Sequence, residues 1–268
     1  MSRIVTNSSA NTVYKNYNQN SMKLANSAEK LATGLRINRA ADDSAGLAIS
    51  EGMRAQVKGT DAANDNISNA INFLNTADGY LQVVSDILGR MEELSVSEGD
   101  GTKSTTDKAN IDAEFKTLAT QLGSISAAAT GPTFNGTLLF SAATITMQVG
   151  ANSADTFTLA GTNLGGAAGF ATVAAMTTAN SVSNVQAAII GVSTLRATMG
   201  SDQAHLQYQS SALQNYSENI SASESRIRNV DMAKETTNFS RFQIQVQAGT
   251  AMLAQANQLP QNVLSLLK

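Results

Sequence analysis

The stretch ANDNISNAINFLNTADGYLQVVSDILGRM, residues 63–91, carries an apolar residue at every third or fourth position. Together these positions form one stripe, made of Ala63, Ile67, Ala70, Leu74, Ala77, Leu81, Val84, Leu88 and Met91. Such a stripe is the buried seam of a coiled coil. Extended to the glycines at Gly99 and Gly101, it predicts a helix over 44–98, which at about 1.5 Å per residue is a rod of roughly 80 Å.

A second stripe of the same kind lies in the C-terminal third. It comprises Leu195, Met199, Leu206, Leu213, Tyr216, Ile220, Ile227 and Val230, with polar interruptions at Asp202, Gln209 and Ser223. A single helix cannot bury such a stripe by itself. Because the chain runs out along the first rod and returns along the second, the simplest arrangement is an antiparallel pair of long helices.

Two more helices are predicted at the ends of the chain, over about 5–33 and 234–266. The first spaces Leu24, Ala28, Leu31 and Leu35 along one face, and the second does the same with Phe239, Phe242, Val246, Gly249, Leu253 and Ala256. Two such helices bury too little apolar surface to form a core alone. We therefore expect contacts with other copies of the chain at Leu24, Leu31, Phe239, Phe242, Val246 and Leu253.

The joint between the first two helices, GLRINRAADDSAG (34–46), is rich in turn-forming residues. Asp42, Asp43 and Ser44 suit the start of the following helix, because their side chains accept hydrogen bonds from its free N–H groups. Paired carboxylates could instead hold a cation, which is the less common arrangement. A shorter helix is predicted over about 105–127.

The centre of the chain has strand-like features. Alternating residues at 144–149 and turn residues at Asn135-Gly136 and at 150–152 predict short strands within 134–161. Residues 160–185, rich in Gly, Ala, Thr and Asn, predict no particular element. The fold class is therefore mainly α, with long antiparallel coiled-coil rods and a small β-containing central region.

Five segments follow from these patterns. They are a terminal helix with its joint (1–43), the N-terminal rod helices (44–130), a short central β and loop region (131–186), the C-terminal rod helix (187–233) and a final helix (234–268).

Charged residues make up only 15% of the chain, against about 25% in an average domain. Their distribution is uneven, since residues 1–60 carry eight basic and four acidic side chains, whereas residues 61–116 carry four and eleven. Between Thr117 and Leu195 the only charge is Asp155. A surface this poor in charge repels itself little, which suits packing against identical copies.

Composition also excludes several classes of function. The net charge of −3 provides no field that attracts nucleic acid. The chain has no cysteine, so disulfides and thiolate metal sites are excluded. Its N-terminus lacks a signal-peptide pattern, and no apolar run is long enough to insert into a membrane. If the protein is exported, it must use a route that cleaves no signal.

No residues indicate catalysis. His205 is the only histidine, and it lies in a predicted helix without a plausible nucleophile. We interpret it as an exposed helical residue. The sequence therefore predicts no catalytic, cofactor-binding or metal-binding residues and no cofactor, and we expect the protein not to be an enzyme.

Both ends of the chain resemble bacterial flagellin. The matching segments are LATGLRINRAADDSAGLAISEGMRAQ (31–56) and SRIRNVDMAKETTNFSRFQIQVQAGTAMLAQANQLPQNVLSLLK (225–268). Phe134-Asn135-Gly136, the segment 148–152 and the segment 195–200 are similar to shorter motifs of that family, in the same order. The resemblance covers about 1–152 and 190–268.

The resemblance implies a structural subunit that polymerises into the flagellar filament for motility, with the terminal helices in an inner tube and the rods outside it. It implies secretion into an extracellular filament, with a periplasmic filament as the alternative. The implied partners are many copies of the chain, the flagellar export apparatus, a secretion chaperone, and the filament cap and junction proteins. A hook–filament junction protein, and a secreted adhesin or immune-receptor ligand, are the alternative functions.

One rod segment is similar to the stretch of flagellin that the innate flagellin receptor of animals recognises. Its candidate recognition residues are Leu88, Arg90, Glu93 and Leu94. Gly89, Glu92 and Ser97 depart from that stretch, so the resemblance implies this receptor as a partner with weakened recognition.

Overall fold

The computed structural model describes residues 7–127, 131–166, 169–176, 179 and 182–265. Its helices are α1 (Ser8–Thr33), α2 (Ser44–Glu98), α3 (Thr105–Ser126), α4 (Phe170–Ala174), α5 (Val182–Arg228) and α6 (Met232–Ser265). Its strands are β1 (Thr133–Phe134), β2 (Thr137–Leu138), β3 (Ile145–Gln148) and β4 (Thr156–Leu159). The predicted fold class is confirmed. The predicted outer limits of the terminal helices, residues 5 and 266, fall outside the described residues.

The chain divides into two compact units. Unit 1 comprises residues 1–55 and 219–268, and unit 2 comprises residues 56–218. Helices α2 and α5 contribute residues to both units.

The core of unit 2 lies along α2. Every residue of the 63–91 stripe is at most 2% exposed, as the 4-3 spacing predicts. Helix α3 covers part of this stripe with Phe115, Ala119 and Leu122. Helix α5 adds the predicted Met199, Leu206 and Leu213, together with Val185, Ala188 and Val192 nearer its start. Tyr216 departs from the predicted stripe, because it is 42% exposed.

Polar side chains show that α2 and α5 run antiparallel in unit 2. As the residue number falls along α2, that of the partner on α5 rises, through the pairs Glu92–Gln186, Asp78–Arg196, Asn75–Gln203, Asn64–Ser210 and Gln56–Tyr216. Most of these bonds join uncharged groups. The predicted pairing of the two long helices is therefore confirmed for this unit.

Two small hairpins form the centre. Strands β1 and β2 are joined by Asn135 and Gly136, whose φ angles of 48° and 79° are the left-handed values that a tight hairpin turn requires. Strands β3 and β4 pair with Ile145 opposite Leu159.

The stretch that the sequence leaves unassigned has regular structure among its described residues. It contains a 3-10 turn at Leu164–Gly166, helix α4 and the beginning of α5. Leu164, Phe170 and Val173 are fully buried in the core of unit 2. A few buried apolar residues, separated by small ones, therefore pack this segment against the core of unit 2, although their spacing has no regular period.

Candidate functional site

Helices α1 and α6 of unit 1 lie against each other in antiparallel directions. Near one end of the pair, the Asn7 side chain donates a hydrogen bond to the Ala256 carbonyl at 2.8 Å. Near the other, the Ser27 hydroxyl donates to the Glu235 carboxylate at 2.5 Å. Between these two bonds the helices are close together: a Cβ added at Gly249 would lie 3.3 Å from the ring of Tyr17.

The base of this helix pair is closed by main-chain bonds. Gly34 ends α1 in the left-handed region with φ 72°, and Leu35 forms a bridge with Asn229. The N–H of Val230 donates to the Gly34 carbonyl at 3.0 Å. The backbone groups at this end of the helix pair are therefore hydrogen-bonded.

The pair has almost no interior of its own. Among the residues of α1 and α6 whose burial is described (8–33 and 232–258), only Ser27 and Ala256 are buried. The six predicted contact residues are all half-buried, namely Leu24, Leu31, Phe239, Phe242, Val246 and Leu253. Their proposed role in contacts between copies stays a prediction.

Other apolar side chains of the pair are more accessible than these six. The large exposed ones are Tyr14 (57%), Met22 (61%), Met232 (50%), Ile244 (65%) and Met252 (57%). Sequence reasoning missed them because it followed only the regular stripe. Their signal is an isolated large apolar residue on an otherwise polar helix face.

The buried position of α1 lies beside the predicted apolar stripe. Ala28, which belongs to that stripe, is exposed in the single chain, whereas the adjacent Ser27 is 2% exposed. A hydrogen-bonded hydroxyl therefore occupies the buried position, and the role of the stripe in contacts between copies stays a prediction.

The two carboxylates of the joint accept backbone hydrogen bonds. Asp43 accepts from the N–H of Gly46 at 2.9 Å and so caps α2, as predicted. Asp42 accepts instead from the N–H groups of Arg39 and Asn38, both at 3.0 Å, so it stabilises the preceding turn and not the helix start. These bonds, that from Arg39 first, lower the pKa of Asp42.

Ion pairs support the same joint. The Arg39 guanidinium lies 2.9 Å from the Glu29 carboxylate, and that of Arg228 lies 2.5 Å from Glu51. The hydrogen bond from Arg228 is the main reason why the pKa of Glu51 is lowered. These charged side chains at the joint are therefore paired with charges of the same chain.

The candidate receptor segment is divided between core and surface. Leu88 is fully buried and Leu94 is 5% exposed, so both belong to the core of unit 2. Arg90 is exposed and lies 2.8 Å from both Glu93 and Glu114, and these carboxylates raise its pKa, Glu93 more strongly. Only Arg90 and Glu93 of the four residues are available for an outside contact.

The remaining candidate residue, His205, is exposed on α5. Its ring stacks on Phe157 of β4, with centroids 5.2 Å apart. Across the described ranges, no three potential ligands of the His, Asp and Glu types come together as a metal site. No helix within those ranges has the length and apolar character needed to cross a membrane.

Comparison with known proteins places both ends of the chain in one family. Residues 4–144 match the bacterial flagellin N-terminal helical region, and residues 182–267 match the bacterial flagellin C-terminal helical region.

Similar proteins include a flagellin of Halalkalibacterium halodurans, 43% identical with 90% of each chain covered. The flagellar filament 33 kDa core protein of Treponema phagedenis is 36% identical over 98% of each chain. A crystal structure of Bacillus cereus flagellin aligns with a TM-score of 0.48 and 25% identity, covering 56% of this chain and 88% of that one. With matching regions at both ends and relatives of this identity over nearly the whole length, the chain belongs to the bacterial flagellin family.

Proposed function

We propose that the chain polymerises with many copies of itself into the bacterial flagellar filament through the α1–α6 pair. The role of structural filament subunit rests on family membership, and relatives such as the Treponema phagedenis protein are named filament core proteins. The alternatives of a junction protein or an adhesin gain no support from these relatives.

The observation that supports the α1–α6 pair as the contact between copies is that the pair buries so few of its own residues. Among the residues of α1 and α6 whose burial is described, two are buried and five large apolar side chains are exposed. Burying one such side chain contributes roughly 1.5–3 kcal/mol. Neighbouring copies that cover these side chains therefore stabilise both the helix pair and the polymer.

In this proposal unit 2 carries load and performs no catalysis. Its α2 stripe is closely packed, and packed interiors transmit strain because they contain few voids. The filament then works through stiffness. The proposal also includes secretion into an extracellular filament. Its further partners are the export apparatus, a secretion chaperone, and the cap and junction proteins, as family membership suggests.

Seeded growth of the purified chain, observed by electron microscopy, tests the proposal. Wild-type protein should extend filament fragments, whereas Ile244→Asp should not, because an unpaired carboxylate cannot be buried at an apolar contact without a large desolvation penalty. Gln243→Asp, an exposed neighbour with the same added charge, is the matched control and should extend the seeds. Failure of wild-type growth would contradict self-assembly. Normal growth of Ile244→Asp would show that the surface around Ile244 is not part of the contact between copies.

A further inference from the structure

The buried residue of α1 has the wrong chemistry for simple hydrophobic packing. Ser27 is 2% exposed, while the adjacent Ala28 is exposed. Adjacent residues of a helix differ in direction by about 100°. A rotation of α1 about its axis by about this angle would therefore bury a methyl group in place of a hydroxyl.

One hydrogen bond explains why this rotation does not occur. The Ser27 hydroxyl donates to Glu235 Oε1 at 2.5 Å. Glu235 is half-buried in the first turn of α6, and its other oxygen accepts from Asn238 of the same helix at 3.3 Å. Ser27 is thus the donor that α1 provides to this carboxylate among the described residues.

We infer that the Ser27–Glu235 hydrogen bond sets the rotation of α1 against α6, and so selects which α1 side chains face other copies. The inference rests on the proposed filament function. Ser27 and Glu235 are positioning residues, because they determine the direction of Tyr14 and Met22, which lie on the same rigid helix and are exposed.

The energetic comparison favours the hydroxyl. A hydrogen bond to a carboxylate is stronger than one between neutral groups, and a carboxylate that loses its donor is penalised where water is scarce. Burial of one methyl group gains less than this. Polar residues within a helix contact fix its geometry in coiled coils in the same way, by making alternative arrangements unfavourable.

Cysteine reporters can measure the rotation, because the chain has no cysteine of its own. A Cβ at residue 249 would lie 3.6 Å from the Cβ of Tyr17, within the disulfide range of about 3.5–4.5 Å. The variant Tyr17→Cys/Gly249→Cys therefore reports the observed rotation. Asn18→Cys/Gly249→Cys, displaced by one residue, reports the rotated helix.

Each reporter is incorporated as a minor fraction into growing wild-type filaments, and disulfide yield is measured after mild oxidation. With Ser27 present, the first reporter should exceed the second about tenfold, given the distance limits of a disulfide. With Ser27→Ala, that preference should be lost. The exchange Ser27→Ala/Ala28→Ser moves the hydroxyl by one residue and should reverse it.

Seeded growth of the full-length variants gives an independent readout. Ser27→Ala should raise the concentration needed for growth about tenfold, the effect of losing one hydrogen bond to a charged group. Glu235→Gln keeps an acceptor oxygen and should retain both growth and the cross-link preference. An unchanged cross-link preference in Ser27→Ala would overturn the inference while leaving the filament function intact. Failure of wild-type growth would instead overturn the proposed function, and with it the link to assembly.

Discussion

Two positions on α6 differ in exposure and allow the proposed contact between copies to be tested. Val246 is half-buried, whereas Ile244, two residues away on the same helix, is 65% exposed. A charge at Ile244 therefore tests the contact with a neighbour alone. A charge at Val246 tests that contact together with the packing of α6 on α1.

Val246→Asp is expected to prevent seeded filament growth. An unpaired carboxylate at a position that becomes dry in the polymer costs several kcal/mol or must bind a proton. Unit 2 should keep its melting temperature, because Val246 belongs to unit 1. Gln247→Asp, which adds the same charge at an exposed position, is the control and should grow. Growth of Val246→Asp at the wild-type rate would show that this residue faces no subunit contact.

Asp202 predicts a pH dependence of stability. Desolvation on α5 raises its pKa, and the charge of His205 opposes this only in part. The folded state therefore disfavours ionised Asp202, and its contribution to stability falls as pH rises through the raised pKa. Asp202→Asn should raise the melting temperature at pH 7, and the difference should vanish below about pH 4, where both side chains are neutral. A melting-temperature gain that persists at pH 3 would contradict this cause.

At the level of elements, the two sides of α2 are expected to contribute very differently to the free energy of unfolding. Leu81 is fully buried, and Val83 is 46% exposed on the same helix. Both lie in the same helix, so their truncation to Ala compares a buried position with an exposed one in a single element.

Leu81→Ala should lower the free energy of unfolding by about 2–5 kcal/mol, through lost burial and a residual cavity. Val83→Ala should change it by less than about 1 kcal/mol, because surface substitutions have small effects. Denaturant unfolding of the soluble chain measures both. If both substitutions changed the free energy of unfolding equally, Leu81 would not lie on the face of α2 that packs in the core.

At the scale of the whole molecule, the two compact units differ in how much core they hold. Nearly all buried apolar residues belong to unit 2, whereas α1 and α6 have two buried positions among those described. Ordering two long helices for so little burial is barely favourable, because the conformational entropy lost is large.

Limited proteolysis should therefore cut the soluble chain within roughly 1–40 and 234–268, and leave a fragment containing unit 2. The same ends should be protected once filaments have formed, since neighbouring copies then cover them. Mass spectrometry of the fragments locates the cuts. Equal resistance of the ends in both states would mean that the helix pair is stable without neighbours.

Local patterns in the sequence were sufficient for the long elements. The 4-3 stripe of 63–91 predicts the buried face of α2, because a helix this long has one apolar side and must bury it. The capping residues before it and the glycines after it predict its limits. The Asn135-Gly136 turn predicts its hairpin for an equally local reason, the left-handed backbone that these residues tolerate. The terminal motifs identify the family through residues that are close together in sequence.

Only the tertiary structure decided the positions that depend on a distant partner. Ser27 replaces Ala28 in the helix contact because Glu235, more than two hundred residues away, accepts its hydrogen bond. Leu164 and Phe170 become core residues because unit 2 offers them an apolar surface, although their own segment has no period. Leu94, which lies outside the regular stripe, is unavailable to a receptor because the core of unit 2 buries it. In each case a non-local contact outweighs the local pattern, and a local pattern contains no information about such contacts.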